Sequence, residues 1–171
     1  ISSAASDVYK RQVVHLAAQP IVRKAYEMPV YTYETNVMGT VNILECVRRN
    51  KSVKSFLNVT TDKVYENNEE DYAYKENDRL NGYDPYSNSK SCSELVTDAY
   101  KKSYFSDNRV RISTARAGNV IGGGDISKDR IIPDCVRAAK KCEDIIIRNS
   151  NSIRPYQHIL EALFAYLMIA E

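Results

Sequence analysis

The sequence predicts an α/β fold in which a doubly wound parallel sheet carries helices on both faces. Three apolar runs of strand length begin near Val13, Val53 and Val110, and segments with helical spacing separate them. Strands that alternate with helices are typical of a parallel sheet, because parallel neighbours are joined by a crossover that is usually a helix. The polar segments that follow two of the runs indicate where side chains could collect at one edge of the sheet.

The composition is that of a globular protein with a substantial core. The chain has 171 residues, of which 43% are hydrophobic and 27% are charged, so we expect one domain or part of one. A net charge of +2 gives no electrostatic argument for nucleic acid or an anionic membrane as partner. No apolar run reaches the length of a membrane span, and no secretory signal is visible, so a cytoplasmic protein is expected.

The cysteines do not have the spacing of a metal site. The chain has 4 cysteines and 2 histidines, without a C-x-x-C pair and with the histidines far along the chain from the nearest cysteines. We therefore predict no metal ion, and we expect reduced thiols that are mostly buried.

The first half of the chain predicts two strands and two helices. Residues 1–12 have neither a strand nor a helix period and are expected to be a disordered or non-native lead-in. Residues 13–18 are typical of a short buried strand. A short helix is expected over residues 21–28, before a proline, and a longer one over residues 30–50. The second strand is expected over residues 53–60.

The second half begins with a long polar loop. Residues 62–84 are rich in Asn, Asp, Glu and Tyr, and long loops of this kind often carry function. Pro85 suits the first turn of a helix that should run to about Phe105. The other expected elements are a strand over 110–117, a glycine-rich loop over 118–125, a helix over 132–140, a strand over 145–147 and a helix over 159–170.

Tyr86 and Lys90 have the spacing of a general base. Residues four apart lie on one face of a helix. A phenol has a pKa of about 10, and a nearby ammonium group lowers it by favouring the phenolate. The pair could therefore take a proton from a hydroxyl group. The spacing alone is weak in a chain with 13 tyrosines, so two ordinary surface residues are the alternative.

Three short segments fall at the carboxyl ends of predicted strands. They are residues 17–19, 60–63 and 118–119. Ligands of open parallel sheets bind beyond these strand ends. We therefore expect the three segments to meet at one crevice, with the Tyr86 helix beside it.

Four motifs, in this order and at this spacing, resemble a known family. They are Val-His-Leu-Ala-Ala-Gln at 14–19, Thr-Asn-Val-Met-Gly-Thr at 35–40, Val-Thr-Thr-Asp-Lys at 59–63 and Tyr-Ser-Asn-Ser-Lys at 86–90. The family is that of the extended short-chain dehydrogenases/reductases acting on nucleotide sugars. Further runs at 82–85, 116–125 and 147–158 are similar to its 4,6-dehydratase subfamily that acts on CDP-glucose.

The resemblance implies a fold, a reaction and partners. The fold would be a partial Rossmann-like NAD-binding domain over residues 13–118 and an incomplete substrate-binding region over residues 119–171. NAD would be the cofactor, a nucleotide sugar the substrate, and a homodimer the assembly, paired through the helices of residues 30–50 and 86–106. The reaction would be a hydro-lyase reaction: C4 is oxidised by hydride transfer, water leaves across C5–C6, and the hydride returns to C6.

The resemblance also implies catalytic roles. Tyr86 would take the proton of the C4 hydroxyl, and Lys90 would lower the pKa of Tyr86 and bond the nicotinamide ribose. Thr61 would bond the C4 oxygen. Asp62 would protonate the leaving C6 hydroxyl, which requires burial of its carboxyl group. Lys63 would either remove the C5 proton or stabilise the enolate, and both roles stay open.

Binding residues follow from the same motifs. The cofactor is expected to be lined by Leu16, Ala17, Ala18, Gln19 and Thr60, together with Tyr86 and Lys90. The substrate is expected to contact Arg23, Asn119, Arg130 and Arg154, since arginine suits a diphosphate by its charge and planar donors. Asn36 is expected to hold backbone or structural water below the site, and His15 to be a packed strand residue.

One departure from the family and two alternatives matter. The family opens with a glycine-rich turn that holds the dinucleotide pyrophosphate, and this sequence does not contain it, so we expect an internal fragment that is inactive by itself. An epimerase or reductase of the same superfamily would use Tyr86 and Lys90 but would not need Asp62 and Lys63. A non-catalytic nucleotide-sugar-binding protein would not need the intact catalytic set.

Overall fold

The computed structural model describes residues 11–67 and 71–171. Most of the lead-in expected over residues 1–12 therefore lies outside the described residues. Its last two residues are ordered, because Gln12 opens the first strand and the Arg11 carbonyl accepts the N–H groups of Lys54 (2.7 Å) and Ser55 (3.0 Å). The expected boundary is thus two residues too late.

The helices and strands alternate largely as the sequence predicts. In chain order they are β1 (Gln12–His15), α1 (Val22–Glu27), α2 (Pro29–Tyr33), a π-helical turn (Glu34–Met38), α3 (Gly39–Arg49), β2 (Ser55–Val59), a 3₁₀ turn (Asp62–Val64), α4 (Pro85–Tyr104), β3 (Arg111–Ala115), β4 (Asn119–Ile121), α5 (Ile131–Lys141), β5 (Tyr156–His158) and α6 (Ile159–Ala170). The helix expected over residues 30–50 is continuous but contains the π turn.

The strand expected over residues 145–147 is wrong. The side chains of Ile145, Ile146 and Ile147 are 52%, 82% and 54% exposed, and the segment pairs with no strand of the described chain. Three successive isoleucines satisfy the local pattern of a strand, but a strand also needs a partner. The strand that does form after α5 is β5, which lies later in the chain and pairs with β4.

The main sheet has the order β1-β2-β3, and all its pairs are parallel. Its central strand β2 is buried along its whole length. Phe56 packs with Leu44 and Phe105 on the face covered by α3 and α4. The next residue, Leu57, packs with Tyr166 of α6 on the opposite face. Because alternate side chains of a strand point to opposite faces, one short strand builds both cores, and the doubly wound α/β prediction is confirmed.

A second, two-stranded parallel sheet joins β4 to β5. It brings together the runs at 116–125 and 147–158, which resemble the same subfamily. Gly122 packs closely here, since a Cβ atom added to it would lie 2.7 Å from Cγ2 of Ile159 at the start of α6. The helix α6 then returns to the main sheet. The domain boundary at residue 118 stays a prediction.

The helices of the described residues include none that is both long enough and apolar enough to cross a membrane. All four cysteines are free, as the sequence predicts. Cys46 and Cys142 are exposed and Cys92 and Cys135 are half-buried, so the expectation of mostly buried thiols is wrong. Cys46 lies in the last turn of the amphipathic helix α3, and Cys142 is the C-cap of the amphipathic helix α5, where one face remains in solvent.

Candidate active site

The first turn of α4 is held by a side-chain cap. One carboxylate oxygen of Asp84 accepts the N–H groups of Tyr86 (2.9 Å) and Ser87 (3.0 Å), and the other accepts the Ser87 hydroxyl at 2.6 Å. Such a cap contributes about 1 kcal/mol to the helix. Pro85 follows at the first helical position, where its missing N–H costs nothing. The cap was not predicted, although an Asp-Pro pair before a helical period is a recognisable signal.

The segment before the cap is packed tightly against the same helix. The Gly82 N–H donates to the Ser91 hydroxyl at 3.0 Å, and its carbonyl accepts the Asn88 amide at 3.2 Å. A Cβ atom added to Gly82 would lie 2.4 Å from the carbonyl carbon of Ser87. Only glycine allows the loop to approach the helix backbone this closely. The loop and the cap together fix the position of Tyr86 in the first turn of α4.

The strand ends meet as predicted. The N–H of Thr60 donates to the carbonyl of Ala115 (2.8 Å), and that of Asp62 donates to the carbonyl of Ala117 (3.1 Å). A Cβ atom on Gly118 would lie 3.7 Å from Oδ2 of Asp62. The ends of β2 and β3 therefore share one crevice at the carboxyl edge of the sheet.

Asn36 ties the end of β1 to the same crevice. Its side chain is 1% exposed, accepts the N–H of Gln19 at 2.8 Å, and donates to the Gln19 carbonyl at 3.2 Å and to the Ser89 hydroxyl at 2.8 Å. The prediction that Asn36 holds backbone below the site is confirmed. Because Ser89 lies on α4 between Tyr86 and Lys90, this amide fixes the helix against the strand.

Four of the five predicted catalytic residues form a chain of contacts. The Thr61 side chain lies close enough to the Tyr86 phenol to lower its pKa. The Thr61 hydroxyl lies 3.0 Å from Oδ1 of Asp62, and Nζ of Lys63 lies 3.5 Å from the same oxygen. A phenol, a hydroxyl, a carboxylate and an ammonium group thus stand in sequence along the crevice.

The pKa of Tyr86 shifts in the direction opposite to the expected one. Burial is the largest cause and raises the pKa of the phenol, and the Asp62 carboxylate raises it further. The hydrogen bond with Thr61 and the positive charge of Arg130 act the other way without reversing the shift. The expected lowering is wrong for this arrangement, because burial penalises the phenolate more than the nearby cations favour it.

Lys90 lies beneath the crevice rather than on its surface. The residue is 4% exposed, and its Nζ donates to the carbonyl of Val59 at 2.9 Å. Burial lowers the pKa of Lys90 to about 8, and the carboxylate of Glu94 opposes this shift. The ammonium group is therefore held at the end of β2, one helical turn from Tyr86.

Asp62 does not have the burial expected of the proposed acid. Its side chain is 37% exposed, and that of its partner Lys63 is 30% exposed. Both residues lie in the 3₁₀ turn that Thr61 caps. The carboxylate is half-buried and ion-paired.

The residues expected to line a cofactor differ in exposure. Leu16 is 55% exposed, whereas Gln19 and Thr60 are buried. Ala17 is exposed and Ala18 is half-buried. β1 ends at His15, so Leu16 and Ala17 form a small apolar surface at the strand end, suited to the ribose and nicotinamide end of a dinucleotide. The hydroxyl of Thr60 points elsewhere, since it donates to Glu94.

The four predicted substrate residues fall into three settings. Arg23 forms an ion pair with Asp129 at 3.0 Å. Arg130, which directly follows Asp129, forms an ion pair with Asp125 at 3.1 Å. The structure therefore brings these two arginines into one region. Asn119 has a buried Nδ2 atom without a hydrogen-bond partner in the described chain. Arg154 is exposed and donates to the Ser152 hydroxyl at 3.0 Å.

Sequence reasoning missed a buried ion pair beside the crevice. Glu94 is 4% exposed and accepts Nε (2.9 Å) and Nη2 (2.8 Å) of Arg116. A signal existed for each partner: Glu94 lies one helical turn after Lys90, and Arg116 opens the run at 116–125.

His15 is a packed strand residue, as predicted. It is 7% exposed, and its Nε2 lies 3.3 Å from the Thr40 hydroxyl. That hydroxyl donates its only proton to the carbonyl of Asn36 at 2.7 Å, so His15 carries its proton on Nε2 and donates to Thr40. Burial lowers the pKa of His15, and the charge of Lys90 lowers it further.

We expect His15 to make the protein less stable in mild acid. A histidine with a lowered folded-state pKa binds its proton more readily in the unfolded chain, so the free energy of unfolding falls as pH drops below about 6.5, by on the order of 1 kcal/mol. Urea unfolding at pH 7.5 and 5.5 measures the loss, which His15→Gln should reduce. His158→Gln is the matched control, since His158 is exposed. An equal loss in wild type and His15→Gln would contradict the prediction.

Comparison with known proteins identifies the family of this chain. The family model described as "GDP-mannose 4,6 dehydratase" matches residues 1–171. A CDP-glucose 4,6-dehydratase of Salmonella typhimurium is 50% identical over 169 residues, which are 95% of this chain and 47% of that protein. The chain thus spans about half the length of this relative.

Two solved structures have the same fold. A dTDP-glucose 4,6-dehydratase of Bacillus anthracis in complex with NAD is 25% identical, with a TM-score of 0.79, over 94% of this chain and 47% of that one. A dTDP-glucose 4,6-dehydratase of Streptomyces venezuelae with NAD bound is 26% identical, with a TM-score of 0.82, over 92% and 48%. The parallel sheet, the Tyr86 helix and the match of the whole chain to one model lead to the same conclusion: the chain belongs to the GDP-mannose 4,6 dehydratase family.

Proposed function

We propose that the protein catalyses the NAD-dependent 4,6-dehydration of a nucleotide sugar, with CDP-glucose as its substrate. The observation that carries this proposal is the contact chain of Tyr86, Thr61, Asp62 and Lys63 at the carboxyl edge of the sheet. The nucleotide assignment rests on the name of the 50% identical relative.

Oxidation at C4 needs a group that removes the hydroxyl proton. Tyr86 would take this role, and the Thr61 hydroxyl beside it would hold the sugar oxygen. Its raised pKa makes the neutral phenol the resting form. The positive charge of Arg130 favours the phenolate that accepts the proton, while the phenol returns a proton in the reverse direction.

Elimination across C5–C6 needs a proton acceptor at C5 and a proton donor at the C6 oxygen. The carboxylate of Asp62 and the ammonium group of Lys63 lie 3.5 Å apart. For the base role of Lys63, transfer of one proton from Lys63 to Asp62 would give the carboxylic acid that protonates the C6 oxygen and the free amine that accepts the C5 proton. Lys63 acts either as the C5 base or as the cation that stabilises the enolate. An epimerase performs no elimination and has no need of this pair.

The described residues fit one end of NAD. Leu16, Ala17 and Ala18 offer small or apolar contacts at the end of β1, and the Lys90 ammonium group supplies a buried donor for a ribose diol. NAD, when bound, supplies the hydride acceptor for the oxidation and the hydride donor for the final reduction. The residues that would hold its pyrophosphate are not among those predicted here.

We place the substrate diphosphate on the region of residues 119–171. Asn119 has an amide donor without a partner in the described chain, and an orphaned buried donor is costly unless a ligand satisfies it. Arg23, Arg130 and Arg154 add positive charge suited to phosphate oxygens. This supports the assignment of residues 119–171 as the substrate-binding region.

The reaction is tested by incubating the whole protein with CDP-glucose and NAD⁺. We expect a 4-keto-6-deoxy product, which absorbs strongly in alkali. The same assay is run in parallel with three alternative substrates, dTDP-glucose, UDP-glucose and GDP-mannose. Product from one of these but not from CDP-glucose would overturn the nucleotide assignment. A C4 epimer formed without loss of water would identify an epimerase, and no reaction with any sugar nucleotide would favour a binding protein.

We further propose that the protein works as a homodimer in the cytoplasm, where its four free cysteines would stay reduced. The support for the dimer is apolar exposure on the layer of α2, the π turn, α3 and α4. On this layer Val30, Met38 and Leu95 are 70%, 50% and 55% exposed. Apolar side chains in such numbers on neighbouring helices are typical of an interface.

We expect Leu95→Glu to halve the sedimenting mass of the whole protein, because a charge at the centre of an apolar contact is strongly unfavourable. Ile153→Glu is the matched control, since Ile153 is 95% exposed on a turn outside these helices. A wild-type protein that sediments as a monomer would exclude the dimer.

A further inference from the structure

We propose that Glu94 and Arg116 are positioning residues, one buried ion pair that keeps a carboxylate beside Lys90 and anchors the segment carrying Asp62 and Lys63. This inference deepens the proposed function and rests on it for the roles of Lys90, Asp62 and Lys63. The contacts themselves do not depend on which reaction the protein catalyses.

Both carboxylate oxygens of Glu94 accept hydrogen bonds. Oε1 accepts Nε of Arg116 at 2.9 Å and the hydroxyl of Thr60, and Oε2 accepts Nη2 of Arg116 at 2.8 Å. Burial opposes ionisation, but the hydrogen bonds from Arg116 and Thr60 outweigh it and lower the pKa of Glu94. The site therefore contains a fixed negative charge at the ends of β2 and β3.

That charge lies one helical turn from Lys90, on the same inward face of α4. Thr60, which donates to Glu94, directly follows Val59, whose carbonyl accepts the Lys90 ammonium group. A buried ammonium group loses its proton easily unless an anion is near. The remaining titratable groups around Lys90 are His15 at the end of β1, which is neutral, Tyr86 on α4, and Arg116 behind Glu94.

Arg116 extends the pair to the other side of the crevice. Its Nη1 donates to the Tyr65 hydroxyl at 2.8 Å and to the Glu76 carbonyl at 2.9 Å. The guanidinium carbon lies 4.9 Å from the centre of the Tyr65 ring, a cation–π distance. Tyr65 stacks in turn on Tyr74. One guanidinium group thus joins α4 to Tyr65, near the start of the polar loop after β2, and to Glu76, in its second half.

The anchor lies immediately beyond the proposed catalytic pair. Asp62 and Lys63 are bracketed by Thr61, which caps their 3₁₀ turn, and by Val64, which is 0% exposed and whose carbonyl accepts the Ser91 hydroxyl at 2.8 Å. Tyr65 follows and is held by Arg116. Loss of Arg116 would therefore free Tyr65 and Glu76 from α4, while Val64 stays bonded to Ser91 and the amino end of the turn stays attached to β2.

The first experiment removes the charge of Glu94 from the whole protein. Glu94→Gln keeps the size of the side chain and one acceptor oxygen. We expect the Lys90 side chain, observed by NMR of isotope-labelled lysine and assigned by its loss in Lys90→Arg, to titrate lower than its wild-type pKa of about 8, by roughly half a unit or more. The alkaline limb of kcat/KM should move to lower pH by the same amount.

Glu45→Gln is the matched control. Glu45 also accepts two hydrogen bonds from an arginine, Arg48, at 2.9 and 2.8 Å, but on α3 and beside Tyr100 near the far end of α4. We expect its loss to leave the titration of Lys90 unchanged. A folded Glu94→Gln protein in which Lys90 titrates as in wild type would overturn the electrostatic half of the proposal.

The second experiment replaces the planar guanidinium group of Arg116 by an ammonium group and so keeps the positive charge. It also tests the proposal if Glu94→Gln does not fold. In Arg116→Lys we expect hydrogen exchange at the amides of Glu66 and Asn81 to be about tenfold faster or more. These amides donate to Arg79 and Val64 across the loop. Arg109→Lys is the control, since Arg109 also makes a carbonyl bond and a cation–π contact, away from the loop.

Unchanged exchange at both amides would overturn the anchoring half. The titration of Lys90 and the hydrogen exchange are measured without substrate. Their outcomes therefore do not depend on whether the protein catalyses 4,6-dehydration. A protein without dehydratase activity in which Lys90 and the loop respond as expected would contradict the proposed function and support the ion pair.

Discussion

Tyr86→Phe is expected to lower kcat for 4,6-dehydration by about 10²–10⁴-fold, the range that a positioned general acid–base group contributes. Phenylalanine keeps the ring in its place at the start of α4 and removes only the hydroxyl that contacts Thr61. The KM for CDP-glucose should change little, because the diphosphate contacts assigned to Asn119 and the arginines remain. The measurement is the initial rate of keto-sugar formation under saturating substrate and NAD⁺.

Tyr83→Phe provides the matched comparison, since Tyr83 lies three residues earlier and is 94% exposed. It should keep the wild-type rate. A Tyr86→Phe protein with a rate within a few-fold of wild type would remove Tyr86 from the mechanism, and a large loss in Tyr83→Phe would show that the loop before α4 contacts the substrate.

Gly82→Ala is expected to destabilise the protein by about 2–3 kcal/mol, the upper part of the range for overpacking. The added Cβ atom would lie 2.4 Å from the carbonyl carbon and 2.6 Å from the carbonyl oxygen of Ser87. These are helix backbone atoms, so the loop or the first turn of α4 must move. Because Tyr86 lies in that turn, kcat should fall as well. Urea unfolding and the keto-sugar assay measure the two effects.

Gly39→Ala tests whether the loss comes from the contact rather than from replacing a glycine. Gly39 lies in a helix, and no atom lies within 4 Å of a Cβ atom added there. Alanine is favoured over glycine in helices by up to about 1 kcal/mol, so Gly39→Ala should stabilise the protein slightly. Similar stability of Gly82→Ala and wild type would mean that the loop before α4 shifts without cost.

Much of the fold follows from local patterns. The apolar run at 53–60 contains β2, and the proline at 85 marks the start of α4 to the residue. Both depend on interactions within a few residues, namely alternation along a strand and the geometry of a first helical turn. The run at 145–147 has the same local character and forms no strand, because pairing with a neighbour is not a local property.

The sequence by itself determined the three strands of the main sheet and most of the helices, the family, and the segments that gather at the carboxyl edge of that sheet, but not the small sheet of β4 and β5. Only the tertiary structure decided how those residues act on one another. It raised the pKa of Tyr86 by burial, left Asp62 half-buried and ion-paired with Lys63, and joined Arg116 to Glu94 one helical turn from Lys90. The reason is physical: local structure depends on neighbours in the chain, whereas burial and charge depend on segments far apart in sequence, such as Tyr65 and Arg116, which are 51 residues apart.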